Sequence, residues 1–153
     1  MGFILSSLRH ISQRRKTRNI RRITQKTGTS CGVACVAMLS RISYRDAFRV
    51  GVACFGKAAW DESHRTDASD LRVMLAALGW RLGREVKCKA WRKIPARALV
   101  AVQKKPKKGW HWVVSDCDSN GPFFFDPRKS VKAVRRREFK TVPVFWYHRV
   151  CQL

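Results

Sequence analysis

The hydrophobic pattern of this chain changes period once, near Gly79, and that change limits what the chain can fold into. Before it, apolar residues recur at helical spacing. After it they fall into short runs divided by turn residues, the pattern of antiparallel strands. Helices first and a sheet afterwards imply an α+β domain. With 153 residues, the chain is long enough to close one hydrophobic core.

In the first half, Val33, Val36, Ala37, Met38 and Leu39 supply a broad apolar face, so a buried helix is expected to begin at Ser30 or Cys31. Ser43 with Asp46 three positions on resembles a capping box and predicts a second helix through roughly Val50, followed by an irregular stretch over 51–64. A third helix starts at Thr66 or Asp67, buries Leu71, Met74, Leu75 and Leu78, and stops at Gly79. In the second half, strands are expected over 98–103, 110–115 and 122–126, the last two joined through the turn DCDSNG. Residues 141–147 predict one more strand, with Pro143 favouring an edge position or a bulge.

Charge is the compositional outlier. Lys and Arg number 33 against 10 Asp and Glu, a formal net charge of +23, and the first acidic residue is Asp46. Such an excess bears on partners and not on fold. Residues 1–23 combine arginines with Phe3, Ile4, Leu5, Leu8, Ile11 and Ile20, and are expected to form a basic amphipathic arm ahead of a domain over 24–153. Further basic clusters stand at 104–108 and 135–137. A nucleic acid, an acidic protein or an anionic membrane surface would each be attracted. No stretch has the roughly 18 apolar residues a membrane-spanning helix needs. Without a secretory signal, the six cysteines suggest a reduced, cytoplasmic life rather than three disulfides. Cysteines at 31, 35, 54, 88, 117 and 151 lack the paired spacing of a zinc site, and no metal or other cofactor is expected.

Chemistry concentrates in TQKTGTSCGVACVAML, residues 24–39. A helix N-terminus lowers a thiol pKa, because its unpaired N–H groups and macrodipole favour negative charge there. Cys31 occupies that position, whereas Cys35, one turn further in, is expected to be core filling. The base must come from His10, His64, His111 or His148. His111 is the candidate, since it begins a strand that can project toward the helix start. Asp126 closes the next strand of the hairpin, beside His111, where it can fix the imidazole tautomer and stabilise the imidazolium. Gln25, six positions before Cys31, would offer a side-chain N–H to an oxyanion, alongside the Cys31 backbone N–H.

The sequence Q-x-x-x-x-S-C-G-V-A-C-V-A-M-L, then H-W-V-V, then F-F-D-P resembles the bacteriocin-processing peptidases of the C39 family, a branch of the papain-like cysteine proteases. The resemblance runs over residues 24–127 and includes the helix ending in LGW and the IPARALVAV segment. It implies a papain-like fold with Cys31 as nucleophile, His111 as base, Asp126 as acid and Gln25 in the oxyanion hole. It also implies a peptide or protein substrate, since family members commonly serve ATP-driven peptide exporters and cut leader peptides after two small residues.

This chain shows no membrane span and no G-x-x-x-x-G-K-[ST] phosphate loop, so a stand-alone enzyme is expected, of the sort found among bacterial or phage effectors. Two further classes share the scaffold. One is an acyltransferase or deamidase, because a thioester can be opened by amine or water. The other is a nucleic-acid-binding module using the arginine-rich arm and some of the six Trp, although the Trp are scattered and fit core or cleft wall better.

Overall fold

The computed structural model describes residues 19–61, 64–103 and 109–153. Most of the expected basic arm and the lysine cluster at 104–108 therefore lie outside the described residues. The last part of the arm lies within them: Ile20 is buried in the main core, and Ile23 packs against it.

Among the described residues, three α-helices, α1 (Cys31–Ser40), α2 (Tyr44–Phe55) and α3 (Ala68–Ala77), precede five strands, β1 (Trp80–Lys87), β2 (Ala98–Gln103), β3 (Trp110–Asp118), β4 (Gly121–Phe125) and β5 (Val144–Gln152). All strand pairs are antiparallel, in the order β1-β5-β2-β3-β4. The α+β class is as expected.

Helix α1 is apolar all round and buried over its whole length after Cys31, which makes it the central helix. It packs on β3 and on both other helices. Two caps hold its partners. Ser43 accepts a hydrogen bond from the Asp46 backbone N–H at the start of α2. Asp67 and Asp70 exchange reciprocal bonds of 2.9 and 3.2 Å at the start of α3, so Asp67 is the cap, with Thr66 just before it.

Helix α2 runs five residues past Val50, and Trp60 packs against that extension. A Cβ on Gly51 would lie 2.1 Å from the Trp60 ring, so glycine here is a bed for the indole and not a stop. Phe55 stacks on the same ring at 5.2 Å, which fixes the stretch expected to be irregular.

The sheet carries side chains inward on both faces. Leu99, Ala101, Trp112, Val114, Phe123 and Phe125 join the helices in the main core. Val100, Val102, Val113, Phe124 and Tyr147 form a second layer covered by Trp91, Ile94 and Phe139. The hairpin between β3 and β4 turns through Ser119 and Asn120, with Asp118 paired to Gly121, as the turn residues predict.

Two strands depart from expectation. β1 was not anticipated, since Arg81, Arg84, Glu85 and Lys87 hide its alternation and its pairing with β5 shifts register between Leu82 and Glu85. β5 begins after Pro143, reaches Gln152 and lies inside the sheet between β1 and β2 rather than at an edge. The expected irregularity is present beside the proline, as a register shift between Ala101 and Val102 on β2. The Pro143 carbonyl accepts from the Gln103 backbone N–H.

Candidate functional site

The loop over residues 24–30 decides what the first turn of α1 can do. Ser30 stands at the N-cap position, yet its hydroxyl does not cap the helix. It accepts instead from the backbone N–H groups of Lys26 and Thr27, at 3.1 and 3.0 Å, and ties the loop to itself. The N–H groups of the first turn are thus not taken by a capping side chain, and Cys31 sits among them.

Gly32 follows because the chain over residue 66 presses on this turn. A Cβ at Gly32 would come within 1.8 Å of Thr66 Oγ1 and 3.0 Å of Leu71 Cδ2. Only glycine lets helix and loop approach so closely.

Opposite the helix start, His111 is buried at the beginning of β3, where it pairs with Val102 of β2. Its Nε2 lies 2.9 Å from Asp126 Oδ1. The Cys31 thiol and the imidazole line the same cleft and each shifts the titration of the other. Asp126, the residue after β4, is fully buried. The structure thus brings together Cys31, His111 and Asp126, the three residues singled out from the hairpin and the helix start.

Burial opposes every charge in this cluster, and specific partners overcome it. Burial would push the Cys31 thiol up, but the His111 hydrogen bond and charge, together with the backbone N–H groups of Trp112 and Gly32, bring it below the usual thiol range. Burial would push the His111 imidazole down, but its hydrogen bonds to Asp126 and Cys31 raise it. The Asp126 carboxyl, despite its burial, is held well below the usual carboxylate range by His111 and Arg128. A thiol moved down and an imidazole moved up favour transfer of the proton from sulfur to nitrogen. Cys35 is fully buried, and burial with the charges of Cys31 and Asp126 pushes its thiol well up, as its expected core role requires.

Gln25 is buried in the same loop. Its backbone N–H donates to the Pro127 carbonyl at 2.7 Å, which joins the loop to the residue after Asp126. Its side-chain Nε2 donates to the Thr27 carbonyl at 2.8 Å, and its Oε1 is buried without a partner among the described residues. One amide hydrogen is used on the loop; the other has no partner among the described residues.

The other histidines in view are otherwise engaged. His64 meets Asp70 at 3.3 Å, and buried His148 bonds the Gly83 carbonyl through Nδ1 at 2.9 Å.

Sequence reasoning missed the arginines around Asp126. Arg128 Nη2 donates to Oδ2 at 2.8 Å, and its backbone N–H donates to Oδ1 at 3.0 Å. Arg136 Nη1 donates to Oδ2 at 2.7 Å, while its Nε donates to Glu138. Arg22 reaches from the end of the basic arm to the carbonyls of Asp126, Arg128 and Val131. The cluster at 135–137 thus serves the fold. Arg135 and Arg137 both bond Asp118 and lie over the Phe123 ring, and Arg136 lies over Phe124. The available signal was Asp-Pro-Arg: an arginine two residues after a buried aspartate can fold back on it.

A small cleft of about 70 Å³ opens beside the thiol, lined by Gly28, Thr29, Cys31, Thr66, Trp110 and Trp112 among others. Trp112 is core as well as wall: its Nε1–H donates to the Thr66 carbonyl at 3.2 Å. Chemically, the cluster sets a thiol at a helix start, an imidazole held by a buried carboxylate, and a cleft beside them.

In fold, the chain resembles solved peptidase domains. Across 88% of its length the chain superposes on all of the peptidase domain of Streptococcus ComA, a bi-functional ABC transporter involved in quorum sensing, with a TM-score of 0.61 and 17% identity. It matches a double glycine motif protease from an AMS/PCAT transporter, solved in complex with the leader peptide, at TM-score 0.58 and 17% identity over 90% of this chain and 96% of that one. The peptidase domain of Streptococcus mutans ComA gives TM-score 0.55 and 18% identity over 86% and 98%. No family model and no curated protein matches the sequence.

Proposed function

We propose that this chain is a cysteine peptidase acting through Cys31, His111 and Asp126. The observation that carries the reading is the 2.9 Å contact of His111 Nε2 with buried Asp126, with Cys31, at the start of an uncapped helix, lining the same cleft as that imidazole. The Cys31 thiolate attacks a peptide carbonyl, forming a C–S bond and a tetrahedral oxyanion. The Cys31 backbone N–H and the second Nε2 hydrogen of Gln25 stabilise that oxyanion. Collapse breaks the C–N bond, and the imidazolium gives its proton to the leaving amine. His111, now neutral, takes a proton from water, which attacks the thioester and releases the acid and the thiolate.

The narrow cleft supports cleavage after small residues, because the indoles of Trp110 and Trp112 leave little room beside the thiol. The leader peptide bound to one structural neighbour supports a peptide substrate.

The test is cleavage of matched peptides read by mass spectrometry. Peptides with Gly-Gly or Gly-Ala at the site should be cut by the native chain and not by Cys31→Ala. Peptides with Leu or Phe there should resist. Cleavage that persists in Cys31→Ala would overturn the reading.

A further inference from the structure

We propose that Arg128 and Arg136 are positioning residues: they lock the Asp126 carboxylate in the orientation that meets His111 and divide its charge, with Glu138 at the surface tuning how much reaches the imidazole. The inference rests on Cys31 and His111 being the reacting pair, and adds to that reading what sets the strength of the base.

The geometry is a chain of contacts from solvent to the imidazole. Glu138, about half exposed, accepts from Arg136 Nε at 2.8 Å. Arg136 Nη1 donates to Asp126 Oδ2 at 2.7 Å, and Arg128 Nη2 donates to the same oxygen at 2.8 Å. Oδ1, held also by the Arg128 backbone N–H, faces His111 Nε2. With both oxygens held, the carboxylate is fixed against rotation, and two guanidinium groups compete with the imidazolium for one negative charge.

Arg136 owes its place to a two-way backbone bridge with Phe124, at 3.0 and 2.9 Å, an isolated antiparallel pairing against β4. The other charged or titratable groups facing this line are Cys31 on α1, Cys35 one turn deeper, Arg65 at the cleft, and Arg22 on the Asp126 carbonyl.

Two signatures follow from competition for one carboxylate. Removing a competing cation strengthens the hold of Asp126 on the imidazolium. Removing Glu138 frees Arg136 to compete harder. A brace with no electrostatic part would move neither in this way.

The experiment titrates the His111 imidazole by NMR in the full chain, with the pH dependence of Cys31 alkylation recorded on the same samples. Arg136→Gln should raise the His111 pKa by about half a unit or more, as loss of a nearby charge does. Arg136→Lys should stay near the native value, and Glu138→Gln should lower it. An unmoved or lowered value in folded Arg136→Gln would overturn the proposal. If that variant does not fold, Glu138→Gln, on an exposed side chain, decides: a lowered value supports the proposal and an unmoved or raised one overturns it. Failure to label Cys31 selectively in the native chain would instead sink the peptidase reading, so the two failures are distinguishable.

Discussion

Nε2 of His111 and Oδ1 of Asp126 stand 2.9 Å apart, with the carboxylate fully buried and the ring almost so. This contact joins the start of β3 to the end of β4 and orients the ring toward the first residue of α1. A buried carboxylate is tolerated only when its lone pairs are filled, and here one histidine and two arginines fill them.

Asp126→Asn should therefore do double damage. It removes the charge that stabilises the imidazolium, so peptide cleavage is expected to fall by about 10²- to 10⁴-fold, the range of a positioned acid–base group. It also leaves the guanidiniums of Arg128 and Arg136 partnered by an amide, at a cost of about 3–5 kcal/mol, as when a buried pair is broken. Steady-state kinetics and urea unfolding measure the two losses separately.

Stability should depend on pH at both ends. Folding lowers the Asp126 pKa, so its contribution is complete above its unfolded value of about 3.9 and is lost as pH falls through the folded one. Folding raises the His111 pKa, so its contribution is complete below about 6.5 and is lost as pH rises through the folded value. Unfolding midpoints measured across pH should show the second, alkaline loss in the native chain and not in His111→Gln.

Gly32→Ala should be costly although alanine favours helices. The added methyl would collide with Thr66 Oγ1, and about 1–3 kcal/mol of overpacking strain is expected, with the cleft wall displaced. The double change Gly32→Ala with Thr66→Ala should recover part of that stability in urea unfolding, because the nearest atom is then gone.

Gln25→Ala is expected to reduce kcat for peptide cleavage by about 10²- to 10³-fold while leaving alkylation of Cys31 nearly unchanged, since an oxyanion donor acts only in the transition state. Equal loss in both measurements would mark Gln25 as a loop brace, through its bond to Thr27, and not a donor.

Local signals carried much of the fold, and long-range ones did not. Asp67 and Ser43 cap helices where short-range chemistry says they should, and the Asp118 to Gly121 turn closes the hairpin that places His111 near Asp126. The last turn of α2 escaped notice because the ring that packs on Gly51, Trp60, comes nine residues later. β1 escaped notice because a register shift and four charged residues erase its period of two. Asp-Pro-Arg gave a local signal for Arg128, but Arg136 is ten residues away along the chain and becomes a neighbour only through its bridge to Phe124. Their positive charge looked like an invitation to a partner, and at this site it is balanced within the fold.

The most direct measurement is alkylation of the native chain at neutral pH with a thiol probe, located by mass spectrometry and repeated on His111→Ala. Cys31 should label selectively among the six cysteines, and that selectivity should collapse in the variant. Equal labelling of all six, or unchanged labelling of Cys31 without His111, would contradict a thiolate–imidazolium pair at the start of α1.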